Sequence, residues 1–136
     1  MRSFLTLNGI GAIYAFAFFV HAEMWVNTSR IERITGIHHV GVWMNLLILL
    51  VYLAASALCY LLTKNLFGRQ RVKMVLPVLW IPYSLFFILA FASLYPMTNP
   101  QDKPLPAIGL ILLLIAAVFP FHIVLINFLA SKEKET

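Results

Sequence analysis

The sequence predicts an all-α membrane protein: four transmembrane helices packed as an antiparallel bundle, with both termini in the cytoplasm. Three observations lead there. Of the 136 residues, 62% are hydrophobic and only 11% charged, against about 25% charged in an ordinary soluble domain. The apolar residues fall in four continuous runs, each long enough to cross a hydrocarbon layer about 30 Å thick, which takes roughly 20 helical residues. The basic residues divide unequally between the two ends of those runs. Lipid offers the backbone no hydrogen-bond partners, so the runs must be helices or a closed barrel. Barrel strands alternate apolar and polar residues, and these runs do not.

The first span covers residues 4–26, the second 38–63, the third 74–95 and the fourth 105–130. The connections 27–37, 64–73 and 96–104 leave nothing over for a soluble domain, so residues 1–136 read as one four-span unit. The first run is too long for the apolar core of a cleavable signal peptide, and no small-residue cleavage pattern follows it. Arg2, Lys64, Arg69, Arg71, Lys73, Lys132 and Lys134 fall on one side, and Arg30, Arg33 and Lys103 on the other. Basic residues in short connections face the cytoplasm, which sets both termini inside, in a bacterial cytoplasmic membrane. The formal charge of +5 then faces anionic lipid headgroups through the loop 64–73, and no nucleic-acid partner is expected.

Trp25, Trp43 and Tyr95 lie at the outer interface, where aromatic belts form. Pro106 opens the fourth span, where a missing N–H costs little. Asn27-Thr28-Ser29 matches the N-glycosylation pattern on the outer side, a short match that is frequent by chance. Asn8, Gly9 and Gly11, with Ala54, Ala55, Ser56 and Ala57, are small or polar positions suited to close helix contact. The lone cysteine, Cys59, excludes an internal disulfide and any CxxC motif.

Two polar clusters stand out, at two depths. The stretch Phe19–Trp25 places His21 and Glu23 roughly 5–8 Å below the outer boundary, at 1.5 Å per helical residue. His38 and His39 open the second span, and Asn45 follows them. Histidine and carboxylate ligate transition metals, and two histidines from different helices can hold haem iron. His21, Glu23, His38 and His39 are therefore the metal candidates. Residues i and i+2 of a helix point about 200° apart, so His21 and Glu23 do not share a face. HxxxH and HExxH spacings do not occur. A structural alternative pairs Glu23 with Arg30 or Arg33. The inner cluster holds His122, Tyr83 and Ser84, the candidates for a cavity opened by kinks at Pro82 and Pro120, with a further bend at Pro77. His122 could instead bond a carbonyl freed by Pro120, and the depth count separates it from the outer histidines by roughly a dozen ångströms.

Three function classes fit. The first is a non-catalytic accessory, assembly or partner-binding subunit of a membrane complex, with lipids and other membrane subunits or further copies of itself as partners. The second is a redox protein using His21 with His38 or His39, compatible with haem or a transition metal and with quinone as a partner, although the sequence requires no cofactor. The third is an oligomeric proton-coupled transporter using Glu23. Hydrolytic chemistry has no GxSxG elbow, no phosphate-binding glycine loop and no paired aspartates to run on.

Overall fold

The computed structural model describes residues 2–67 and 71–132, without the side chains of Arg2 and Lys132. The basic residues Arg69 and Lys134, part of the charge count above, lie outside the described residues. Among those described there is no strand. The helices are α1 (Arg2–Val26), α2 (Thr28–Thr35), α3 (Val40–Leu66), α4 (Leu76–Leu94) and α5 (Pro106–Lys132), with short 3-10 turns at Arg71–Val75 and Pro100–Asp102. Four of them, all but α2, are long and apolar enough to span a membrane.

α1 packs along both α3 and α4, and α5 completes the bundle against the same two. α1 is the most buried of the long helices and α5 the least. The core is aromatic at its centre. Trp80 lies 5.0 Å from Phe18 and 4.6 Å from Phe119, ring to ring, with Tyr14 edge-on to Phe119 at 6.3 Å. The outer faces of the long helices carry large aliphatic and aromatic residues such as Leu53, Leu89, Leu113 and Phe121, all well exposed. In water such a surface would be a liability; in hydrocarbon it is the solvent-matched one.

Polar pairs tie the helices in register. Trp25 Nε1 donates to Asn45 Oδ1 at 3.1 Å, His21 Nδ1 lies 3.2 Å from Tyr52 Oη, and the Cys59 thiol points at the Ile10 carbonyl at 3.9 Å. Between α1 and α4, Tyr83 Oη donates to Asn8 Oδ1 at 2.6 Å. A Cβ added at Gly11 would meet Leu79 at 3.1 Å, so glycine lets α1 and α4 approach there, whereas Gly9 faces open space. Of the small residues expected at helix contacts, Asn8 and Gly11 make them and Gly9 does not.

Several boundaries differ from expectation. α3 begins at Val40, so His38 and His39 lie before it, and His39 takes the left-handed backbone region (φ 60°). Pro77 does not bend a span: α4 starts at Leu76, and proline in a first helical turn forfeits no intrahelical bond. Pro82 and Pro120 do lie inside α4 and α5. The connection 27–37 holds α2, an amphipathic helix whose Ile31 and Ile34 are three residues apart on one side, with Arg30 and Arg33 at the same interval. It stops at Gly36 (φ 65°), whose N–H donates to the Glu32 carbonyl, a left-handed cap that glycine adopts without a Cβ clash.

Gly11→Val is expected to overpack the α1–α4 contact, at a cost of about 1–3 kcal/mol, and to lower the melting temperature in detergent. Gly9→Ala should leave it unchanged; equal effects at both positions would contradict the close approach at Gly11.

Candidate functional site

Three long helices contribute to one polar centre. His21 and Trp25 are four residues apart on α1 and so share a face; their rings meet edge to face at 4.8 Å. On α3, Tyr52 and Ser56 have the same spacing. On α5, Phe119 and His122 are three apart, and their rings stack at 6.0 Å with an interplanar angle of 24°. The bundle brings these faces together. The Tyr52 hydroxyl bonds His21 Nδ1, and Ser56 Oγ lies 2.9 Å from His122 Nε2. Tyr52 stands between the imidazoles, its ring 5.6 Å from His21 and 6.2 Å from His122.

A cavity of about 380 Å³ is lined by His21, Tyr52, Phe119 and His122 together with Ile111, Leu114, Ile115 and Val118. Leu114 and Val118 are more than 60% exposed, so this wall belongs to the apolar outer face. His21 Nε2 is buried and has no hydrogen-bond partner. When Tyr52 donates to Nδ1, Nε2 carries the ring proton and is a donor without an acceptor. Burying such a group unpaired costs on the order of 1–3 kcal/mol.

One residue from each expected cluster, His21 and His122, lines the same cavity, with Tyr52 spanning the distance between them. The depth count took each side chain at the height of its Cα. Helical side chains lean toward the N-terminus of their own helix. On α1, Tyr14 lies two turns before His21 and has its ring 6.5 Å from His122; on α5, His122 stacks back on Phe119. Each therefore closes on the other, and the long Tyr52 side chain bridges what remains. His122 bonds Ser56 and not a carbonyl freed by Pro120.

The other candidates disperse. Tyr83 is taken by Asn8. Ser84 is buried, donates to the Ile81 carbonyl at 2.9 Å and lines a different cavity, of about 830 Å³, between α4 and α5. His38 and His39 are exposed in the turn before α3, away from His21. Glu23 pairs with neither arginine: its Oε2 accepts from Asn27 Nδ2 at 2.8 Å. Asn45 accepts from Trp25. Among the described residues no three His, Cys, Asp or Glu side chains gather as a metal set. Asn27 is only 6% exposed, and its amide nitrogen is held by the Glu23 backbone and side chain, which closes the sequon to glycosylation. Tyr52 was missed, and Ser56 was read only as a helix-contact position, because a hydroxyl every four residues in an apolar helix reads as packing; that i, i+4 spacing opposite His122 was the available signal.

The two arginines expected to pair with Glu23 instead hold the connections at that end of the bundle. Arg30 Nη1 donates to the Tyr95 carbonyl at 3.1 Å. Arg33 forms a bidentate pair with Asp102, at 3.0 and 2.7 Å, which clasps α2 to the 3-10 turn Pro100–Asp102. The hydrogen bonds from Arg33 hold the Asp102 carboxyl below the usual carboxylate range, and Asp102 in turn raises the guanidinium.

Because the folded-state pKa of Asp102 is lowered, the clasp contributes fully above the ordinary carboxylate pKa, fades as pH falls below it, and is gone once pH has passed through the lowered value. Hydrogen-exchange protection of residues 28–36 should follow that curve and should be low at every pH in Asp102→Asn. Protection that ignores both pH and the substitution would mean the clasp does not hold α2.

The chain matches no protein-family model, and comparisons with curated proteins and with solved structures find no significant match. What the centre does has to be read from its own chemistry.

Proposed function

We propose that this chain is an integral protein of the bacterial cytoplasmic membrane, an antiparallel four-span bundle with both termini in the cytoplasm, and that it serves a membrane assembly as a non-catalytic binding subunit. Its ligand is the uncharged polar head of a lipid-soluble molecule, held at His21, Tyr52 and His122. The observation that carries this reading is the unpartnered buried Nε2 of His21 in a residue that lines a cavity whose outer wall is apolar. The opposite sequence order of the Trp25–Asn45 and Cys59–Ile10 contacts supports the antiparallel arrangement. The basic asymmetry of the connections supports the orientation.

The chemistry of the walls selects the head. The lining of the cavity contains no ionised carboxylate, lysine or arginine, so a charged head would be desolvated without compensation. An imidazole N–H wants a carbonyl oxygen, and the ring of Phe119 offers a flat apolar surface for a planar head. A quinone ring has both features, with an apolar tail to reach the cavity from the lipid side. The chain's role is to bind and orient such a ring; the protein residues alone supply no electron donor.

Titrating a short-chain quinone into the detergent-solubilised protein should quench Trp25 fluorescence saturably, because Trp25 packs on His21. His21→Ala and Tyr52→Phe should each weaken binding about 3- to 10-fold, the range of one neutral hydrogen bond. His38→Ala/His39→Ala should bind as the unaltered chain does. Quenching that never saturates, or that is the same in all variants, would overturn the assignment.

A further inference from the structure

A second pocket, independent of the His21 centre, lies where α1, α2 and α4 meet at the outer end of the bundle. It measures about 320 Å³ and is lined by Phe19, Glu23, Asn27, Arg30, Phe91 and Tyr95, among others. Its lining is apolar apart from the Asn27 amide, the Tyr95 hydroxyl and two charged side chains of opposite sign. Those two charges are not paired with each other. Glu23 Oε2 takes a hydrogen bond from the Asn27 amide, which is itself anchored on the Glu23 carbonyl. Arg30 is held through Nη1 on the Tyr95 carbonyl. Among the described residues the only salt bridge is Arg33–Asp102. Each charge is thus positioned by a neutral neighbour, on one pocket wall, at the level where the apolar spans end.

The rest of the wall has a matching character. Phe19 and Phe91 meet edge to face at 5.8 Å, and Phe91 and Tyr95 lie tilted against each other at 5.1 Å. Aromatic faces attract ammonium groups, and more strongly once these are desolvated. A guanidinium with free N–H groups donates charge-assisted hydrogen bonds to phosphate oxygens. Ile31 and Ile34 of α2 continue the wall with aliphatic surface, and Ile34 is 66% exposed. An occupant that satisfies all of this carries an ammonium, a phosphate next to it, and hydrocarbon attached.

We propose that this pocket binds the zwitterionic headgroup of a phospholipid, an ethanolamine phosphate, with the ammonium on Glu23 among the aromatic rings and the phosphate on Arg30. Its location at the membrane interface puts it where such headgroups already are. A soluble phosphoethanolamine shares the head chemistry but lacks the chains that Ile31 and Ile34 would cover. An anionic phosphatidylglycerol offers Arg30 a phosphate but gives Glu23 only an uncharged glycerol where the ammonium would sit.

The test uses the full chain in detergent, with its melting temperature followed as matched-chain phosphatidylethanolamine, phosphatidylglycerol or free phosphoethanolamine is added. Phosphatidylethanolamine should raise the melting temperature saturably and at lower concentration than phosphatidylglycerol. Glu23→Gln and Arg30→Gln should each shift the phosphatidylethanolamine midpoint about tenfold, equivalent to 1.4 kcal/mol. A purely structural role would lower the starting melting temperature yet keep the preference between the two lipids, so the readout is the difference between lipids. His21→Ala should keep that preference, which separates this site from the quinone reading. Equal responses to the two lipids, variants that retain the preference, or free phosphoethanolamine acting as well as the lipid would each overturn the proposal. If one variant fails to fold, the lipid comparison on the unaltered chain and the other variant still decide.

Discussion

Hydrocarbon gives no hydrogen bonds, so a polar side chain set into a spanning helix gains by finding a partner on another helix or on its own backbone. In this chain that constraint becomes the architecture. Asn8 and Tyr83 join α1 to α4; His21 with Tyr52, and Trp25 with Asn45, join α1 to α3; Ser56 and His122 join α3 to α5. Apolar side chains packed in lipid have little to choose between neighbours, because lipid tails are as apolar as leucine. The few polar pairs therefore fix rotation and register, and the aromatic cluster around Trp80 and Phe119 fills in around them. Each such bond is modest, about 0.6 kcal/mol on average in membrane bundles, yet four of them in four different places leave little freedom to slide.

α5 is held differently from α1. One side of it meets the Tyr52–His122 cavity and the other meets the large cavity shared with α4. It is also the least buried of the long helices and carries Pro120 in its interior. A helix with space on both flanks and a missing internal hydrogen bond is the natural element to move when something enters from the membrane. The polar centre and the space on both flanks thus meet on one helix, and Ser56–His122 is the hydrogen bond that ties that helix to α3.

Most of the scaffold was legible in the residues because length and apolarity alone decide what can cross a membrane. The four runs, with Pro82 and Pro120 inside the last two and Pro106 at the head of the last, were visible in that way. α2 was not, since eight residues with alternating charges look like a polar loop until Ile31 and Ile34 are seen to share a face. The site was half legible. His21 and His122 were singled out, but a count along helix axes cannot see side chains leaning toward each other, and it set them apart. His38 and His39 drew notice as a pair, whereas the left-handed turn at His39 leaves both outside the bundle. Tyr52 had no motif to announce it; its importance comes from what the third dimension places on either side of its ring.

The clasp between Arg33 and Asp102 spans 69 positions of sequence and joins the exit of the first span to the entrance of the last. During synthesis, Arg33 emerges long before its partner exists, and α1, α3 and α4 are made while it waits. Closing so long a loop early would gain little against chain entropy; closing it last needs only the arrival of the fourth span beside its neighbours. The ion pair therefore works as a latch on completed assembly. A chain cut short after α4 leaves the Arg33 guanidinium without Asp102, so the pair closes only in a chain long enough to carry the last span.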